Sequence, residues 1–110
     1  MKNEFVIIES PFKGETPVEE ADNIAYAREA MRDSLYRGEA PFASHLLYPQ
    51  ALDDGDERER SMGIEAGLYI GKFATRTAVY TDRGISSGMQ YGIERAELEG
   101  REVEYRSLYW

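Results

Sequence analysis

The residue types best suited to chemistry in this sequence lie in a loop of small side chains, Gly84-Ile85-Ser86-Ser87-Gly88, followed by Met89. Glycine and serine let backbone N–H groups face an anion, and a helix that starts here would add the positive end of its dipole. One interpretation is therefore a phosphate or carboxylate site. The other is a purely structural helix start, because Ser87 and Gln90 have the spacing of a capping box.

Three other side chains have types that suit a small polar ligand. Asp82 ends an apolar segment beside this loop, where its carboxylate could accept a hydrogen bond from a sugar hydroxyl or close a turn before Gly84. Phe12 could stack on a planar base or form an apolar wall. His45 is the only histidine and lies inside an apolar segment, which favours a hydrogen-bonded structural residue over a reactive one.

Composition argues against several kinds of site and partner. The 110 residues contain no cysteine, and no carboxylate cluster has the spacing of metal ligands, so we expect no disulfide, no metal site and no cofactor. A net charge of −8 disfavours binding to DNA or RNA, because a negative surface repels phosphate backbones. The apolar run Phe5–Ile8 is too short for a signal peptide or a membrane span. We therefore expect a soluble, cytoplasmic protein.

The elements that must position these residues follow from the apolar spacing, which alternates between strand-like and helix-like periods. The predicted strands are Phe5–Ile8, Phe42–Leu47, Thr77–Thr81 and Val103–Arg106. The predicted helices run from the N-cap Thr16 to the stop at Gly38, from about Glu57 to Phe73, and from about Met89 to Glu99. Strand and helix thus alternate along the chain in the order βαβαβαβ.

The second predicted helix carries Gly63, Gly67 and Gly71, which lie along one face because they are four residues apart. Each glycine costs about 1 kcal/mol relative to alanine inside a helix, so a smooth face here indicates that something approaches closely. The neighbour could be the sheet, a second copy of the same helix or a ligand.

The alternating order predicts one α/β domain over residues 1–110, with a flavodoxin- or Rossmann-like three-layer fold. We expect a four-stranded parallel sheet in the order 2-1-3-4 with about three helices. Ligands of such sheets bind outside the carboxyl ends of the strands, at the point where the strand order reverses. This places a site between Ser10-Pro11-Phe12 and the segment Asp82–Gly88.

In these segments the chain resembles the nucleoside 2-deoxyribosyltransferase-like superfamily, which includes deoxynucleoside-monophosphate N-glycosidases and small bacterial and phage members. The resemblance covers nearly the whole chain. It lies in Ile8-Glu9-Ser10-Pro11-Phe12, Asn23, Ala27-Arg28, Pro41-Phe42-Ala43-Ser44-His45-Leu46 after Gly38, Tyr80-Thr81-Asp82, Gly84-Ile85-Ser86-Ser87-Gly88-Met89, Ile93-Glu94-Arg95-Ala96 and Gly100.

The resemblance implies cleavage or transfer at an N-glycosidic bond, with a glutamate nucleophile in the first turns of the third predicted helix. In the family pattern this glutamate follows the loop glycine by four residues, a position that Gly92 occupies here. Glu94 lies about 200° further around the helix and would point away from a ligand that position 92 meets. An enzyme of this kind would therefore have to use Glu94 or Asp82.

The first of three functional hypotheses is a binding protein that keeps the family's pocket without its nucleophile. It would hold, and in a phage or bacterial setting could sequester, a nucleotide, deoxynucleotide or ADP-ribose-like molecule. Phosphate would meet Ser86, Ser87 and Gly88, ribose would meet Asp82, and the base would meet Phe12. The predicted ligand contacts are Ser10, Pro11, Phe12, His45, Asp82, Gly84, Ser86, Ser87, Gly88, Met89 and Gly92.

The second hypothesis is an active N-glycosidase or deoxyribosyltransferase. The third is an interaction module that self-associates through the glycine face of the second helix and an aromatic tail, Tyr105, Tyr109 and Trp110. A homodimer or higher homo-oligomer is compatible with all three hypotheses, since symmetric dimers are the commonest assemblies.

Overall fold

The computed structural model describes residues 4–109 and shows a four-stranded parallel sheet with helices on both faces. The strands are β1 (Phe5–Glu9), β2 (Ala40–Phe42), β3 (Arg76–Tyr80) and β4 (Glu102–Arg106). The helices are α1 (Pro17–Tyr36), α2 (Ser44–Leu47), α3 (Glu57–Gly71) and α4 (Ser87–Leu98), and a 3₁₀ turn follows α2 at Tyr48–Gln50. The strand order is β2-β1-β3-β4, which confirms the predicted order and fold class.

The second predicted strand, Phe42–Leu47, is wrong over most of its length. β2 ends at Phe42, and Ser44–Leu47 form the short helix α2, which brings the number of helices to four. The segment contains no β-branched side chain, and its alanine and leucines are good helix formers. Pro41 is tolerated in β2 because β2 is an edge strand. His45 therefore lies on a helix and not in a strand.

The predicted start of the last helix also needs correction. Ser86, not Ser87, is the N-cap of α4: its hydroxyl accepts a hydrogen bond from the Met89 N–H at 3.2 Å. The reciprocal contact comes from the Met89 sulfur, which accepts the Ser86 N–H at 3.4 Å, and not from Gln90. Ser87 is therefore the first residue of the helix, and its side chain does not cap the helix.

The core is built on the two central strands, β1 and β3. Val6 and Ile8 of β1 pack with Tyr26 and Ala30 of α1 on one face of the sheet. On the other face Val79 of β3 packs with Met89 and Ile93 of α4. Because side chains alternate along a strand, Ile7 and Glu9 of β1 point to the second face, toward α3 and α4.

A buried ion pair lies among the elements on the α1 face. The two terminal nitrogens of the Arg106 guanidinium, Nη1 and Nη2, donate to the Glu39 carboxylate at 2.9 and 2.7 Å, and Ser34 donates to the same carboxylate at 2.7 Å. Burial alone would raise the pKa of Glu39, but the hydrogen bonds from Arg106 and Ser34 outweigh it and hold that pKa below its usual range. The pair joins the segment before β2 to β4, at opposite edges of the sheet.

The glycine face of α3 packs within the chain. A Cβ at Gly67 would stand 2.8 Å from the Cβ of Ser44 in α2, whereas a Cβ at Gly63 would make an ordinary contact of 3.4 Å with Tyr48 and Leu52. At Gly71 the neighbours are Arg101 and Ile7. The close approach expected from the glycine spacing is therefore made to α2, to the 3₁₀ turn and to the end of the sheet.

Two alanine substitutions on this face should have opposite effects on stability. Gly67→Ala should lower the free energy of unfolding by about 1–3 kcal/mol, because α2 must shift to admit the methyl group. Gly63→Ala should raise it by up to about 1 kcal/mol, since it gains helix propensity without a clash. Urea unfolding of both variants measures the difference. A Gly67→Ala protein as stable as Gly63→Ala would contradict this packing.

Candidate functional site

A cavity of about 240 Å³ opens at the carboxyl end of β1, between α2 and α3 on one side and the first turns of α4 on the other. Its walls are mainly apolar and aromatic. They include Phe12, Phe42, Tyr48, Leu68, Met89 and Tyr91. This is the end of the sheet at which the sequence predicted a site.

One polar corner of the cavity is a serine–histidine pair. The Ser10 hydroxyl lies 2.7 Å from Nε2 of His45, and the edge of the Phe12 ring faces the imidazole at a centroid distance of 6.4 Å. Burial lowers the pKa of His45 to about 4, so the ring is neutral at physiological pH. The Ser10 hydroxyl donates to Nε2 when the ring proton is on Nδ1 and accepts from Nε2 when the proton is there. His45 is thus both hydrogen-bonded, as expected, and part of the cavity wall.

A second polar group, Glu9, was not predicted from the sequence. It is the last residue of β1 and lies over α4 at Gly92. Its carboxyl carbon is 2.6 Å from the place where a Cβ at position 92 would stand, so the carboxyl group fills the space that a side chain at 92 would need. The resemblance implied a glutamate at position 92. The structure has a carboxyl group in that space, but it comes from β1.

The Glu9 carboxyl is held in an environment that opposes its ionisation. Burial raises the pKa of Glu9 to about 8, and the positive charge of Arg101 offsets only part of this effect. Arg101 is itself engaged by Thr77 at 2.9 Å and Glu99 at 2.7 Å. At neutral pH the Glu9 side chain is therefore mostly a neutral carboxylic acid, with one O–H to donate and oxygens to accept.

The first turn of α4 forms the rim of the cavity. Ser86, Ser87 and Gly88 line it, with Met89 behind them in the wall. Lys13 and Arg60 reach the same opening from the loop after β1 and from α3. The backbone N–H groups at this helix start favour an anion, whereas Lys13 is paired with Asp54 at 3.8 Å and Glu59 lines the same cavity as Arg60.

The remaining predicted site residues lie elsewhere. Pro11 and Gly84 line a separate, open groove beside the cavity, and Gly84 has the positive φ of 81° that its turn requires. Glu94 is exposed on the outer surface of α4, where it accepts a hydrogen bond from Gln90 at 3.2 Å. Neither Glu94 nor Asp82 is among the residues that line the cavity.

Asp82 is occupied by the segment that follows β4. Its carboxylate accepts hydrogen bonds from the Tyr26 hydroxyl at 2.6 Å and from the Leu108 and Tyr109 N–H groups at 2.8 and 3.3 Å. Burial alone would raise the pKa of Asp82, but these bonds and one from Ser107 outweigh it and lower that pKa. In this structure Asp82 binds the segment 107–109, and the ribose contact expected of it stays a prediction.

Within residues 4–109, no group of three or more histidine, aspartate and glutamate side chains is arranged to hold a metal ion. In the same part of the chain, no helix is both long enough and apolar enough to cross a membrane.

Comparison with known proteins gives a family and a fold. A family model described as a domain of unknown function (DUF7768) matches residues 4–106. A solved structure of a 2-deoxyribosyltransferase from the psychrotolerant bacterium Bacillus psychrosaccharolyticus superposes with a TM-score of 0.67 and 20% sequence identity, over 94% of this chain and 72% of that one. At this identity the likeness establishes a shared fold. No curated protein matched the sequence.

The unusual state of Glu9 can be measured directly. In protein labelled with ¹³C-glutamate, the carboxyl resonance that disappears in Glu9→Gln should titrate near pH 8. Because this folded pKa lies above the usual 4.5, the stabilisation due to Glu9 is complete below pH 4.5 and is lost as the pH rises through about 8. Relative to Glu9→Gln, the native protein should therefore lose stability over this range.

Gly92→Ala provides the structural control for this titration. Its methyl group would take the place of the carboxyl, push it toward water and return its pKa toward the ordinary value. A Glu9 resonance that titrates near 4.5 in the native protein would contradict the described burial.

Proposed function

The chain belongs to the DUF7768 family, and we propose that it binds a nucleoside or nucleotide in the cavity beside Glu9. The observation that supports this most is the cavity itself. It combines aromatic and apolar walls with a few convergent polar groups at the carboxyl ends of parallel strands, the usual composition and place of a small-molecule site in such folds.

The dimensions and chemistry of the cavity favour a ligand of nucleoside size. Its volume of about 240 Å³ is just below the roughly 300–1,000 Å³ typical of drug-sized ligands, so a mononucleoside fits better than a dinucleotide or ADP-ribose. A base would lie against Phe12 and Tyr48. A phosphate would project to the rim formed by Ser86, Ser87 and Gly88, near Lys13 and Arg60.

The fold likeness supports the same ligand class. The matching Bacillus psychrosaccharolyticus protein is named a 2-deoxyribosyltransferase and is described as a biocatalyst for the synthesis of antiviral and antitumoral nucleosides. We propose that this chain binds such a ligand without cleaving it. Gly92 provides no carboxylate from α4, and neither Glu94 nor Asp82 lines the cavity.

A second candidate function is hydrolysis or transfer at the N-glycosidic bond of the bound ligand. The observation that favours it is the Glu9 carboxyl, which fills the space beside Gly92. The two candidates differ in the product: a binding protein returns its ligand intact, and an enzyme releases free base.

A thermal-shift screen tests the proposal and separates the two candidates. Nucleosides, mono-, di- and triphosphates, NAD, ADP-ribose and cyclic nucleotides would be added singly, with product analysis of every ligand that stabilises the protein. A ligand present at about 100 times its Kd should add about 2.7 kcal/mol, which raises the Tm of a domain of this size by several degrees. No shift with any member of the panel would rule out the proposed function.

Phe12→Leu should weaken the binding of any ligand found in this screen by about 5-fold or more, because a base loses its aromatic partner. Phe73→Leu is the matched control, since Phe73 is 68% exposed and does not line the cavity. Equal affinity in the two variants, measured by calorimetry, would place the ligand elsewhere.

We further propose that the chain forms a homodimer through the outer surface of α3. Met62 and Tyr69, seven residues apart, are 53% and 61% exposed on this helix, and Phe73 packs against Tyr69 just beyond its end. The glycine face of α3 is already packed within the chain, and Trp110 of the aromatic tail lies outside the described residues.

Sedimentation velocity should show a dimer that Tyr69→Glu converts to monomer. A native protein that is monomeric at every concentration would refute this proposal.

A further inference from the structure

Glu9 presents hydrogen-bonding groups to the cavity that the chain leaves unused. Among residues 4–109 its carboxyl has no hydrogen-bond or ion-pair partner, and it forms part of the cavity wall. The Glu9 side chain is partly exposed, and no buried side-chain nitrogen or oxygen in the described part of the chain lacks a partner, so the Glu9 oxygens face the open space of the cavity. A ligand in the cavity would supply the missing partner.

The position of this carboxyl is set by rigid parts of the fold. β1 is a central strand hydrogen-bonded to β2 and β3, and Glu9 is in register with Val79 of β3. The Glu9 side chain extends to α4 because Gly92 has no side chain to occupy the space between them. Groups that recognise a ligand are placed most accurately when they lie on such elements rather than on loops.

We propose that Glu9 recognises the edge of the ligand's heterocyclic ring by forming paired hydrogen bonds with a donor and an adjacent acceptor on that edge. This inference rests on the proposed function, and it names the part of the nucleoside that the cavity recognises. Nucleobases with an amino or oxo group beside a ring nitrogen carry such an edge.

The protonation state of Glu9 decides which edge it can pair with. A neutral carboxylic acid has one donor and one acceptor side by side and complements any edge that alternates the two. An ionised carboxylate has acceptors only and needs two adjacent donors, such as the ring N–H and 2-amino group of guanine. Burial favours the neutral form up to about pH 8.

Charged and titratable groups from every neighbouring element face this region. Arg101 precedes β4, Arg60 and Glu59 belong to α3, Lys13 and Asp54 lie in loops, and His45 belongs to α2. Of these, Arg101 is the group whose charge acts on Glu9, and His45 is neutral at physiological pH. Loss of binding above pH 8 should therefore follow Glu9 and should disappear when Glu9 cannot ionise.

The test compares Glu9→Gln with Glu9→Leu and uses two pairs of nucleosides. Adenosine and purine riboside differ only in the 6-amino group. Guanosine and inosine differ only in the 2-amino group. Calorimetry at about pH 6.5 and pH 9.5 gives the affinities. Glu94→Gln, on the outer surface of α4, is the control substitution. Circular dichroism at both pH values establishes that each variant is folded.

We expect the native protein to prefer adenosine over purine riboside and to bind guanosine and inosine alike at the lower pH. Glu9→Leu should weaken adenosine binding about 5- to 100-fold, for two lost hydrogen bonds. Glu9→Gln has the donor–acceptor pattern of the neutral acid, so it should stay within about threefold of the native affinity and lose the pH dependence.

Three results would overturn the inference. If Glu9→Gln loses as much affinity as Glu9→Leu, the ligand needs a charged carboxylate. If Glu9→Leu binds like the native protein, Glu9 makes no contact. If guanosine binds far more tightly than inosine at the lower pH, Glu9 acts as an ionised acceptor. These results leave the proposed function intact, whereas the absence of binding by any nucleoside or nucleotide would remove the proposed function itself.

Discussion

The ion pair between Glu39 and Arg106 is the interaction on which the arrangement of the sheet depends most. It connects the residue before one edge strand with the last residue of the opposite edge strand, beneath α1, and the Tyr80 hydroxyl of a central strand accepts from the same guanidinium at 3.1 Å. Loss of one partner from a buried pair costs about 3–5 kcal/mol, a large share of the 5–15 kcal/mol that stabilises an ordinary domain. The cavity lies on the other face of the sheet, where Arg101 is paired with Glu99 at 2.7 Å.

The two faces of the sheet hold a carboxyl group in opposite ways. Glu39 receives three hydrogen bonds, and these lower its pKa against the effect of burial. Glu9 receives none from the described residues, so burial raises its pKa to about 8. The first arrangement fixes structure, because every polar atom is satisfied within the chain. The second leaves a donor and acceptors available, which is the condition for recognising something else.

The sequence predicted the fold well because buried parallel strands and amphipathic helices leave strong periodic signals. The predicted strand at residues 42–47 was wrong because the period of such a short apolar run is ambiguous. The site was harder to predict. Ser10, Phe12 and the α4 loop follow from the rule that ligands bind at the carboxyl ends of strands, whereas His45 was expected inside a strand and lies on α2. Glu9 was missed because it ends an apolar run, where an acidic residue resembles a strand boundary. The hydrogen-bond partners of Asp82, Tyr26 and Leu108, could not be predicted because they are distant in sequence and meet it only in the folded chain.

Glu9 and Gly92 must be considered as one unit. The Glu9 carboxyl and a side chain at position 92 compete for the same volume, so a carboxyl group can enter this space from β1 or from α4 but not from both. The choice has a chemical consequence. The Glu9 carboxyl belongs to the last residue of β1, which is paired with Val79 of β3, and burial there favours its neutral form. A carboxyl at position 92 would instead belong to the second turn of α4, beyond the first turn in which a helix dipole acts on charge, and would enter the same space from the opposite wall. The fold therefore admits one carboxyl in this space, and in this chain β1 supplies it.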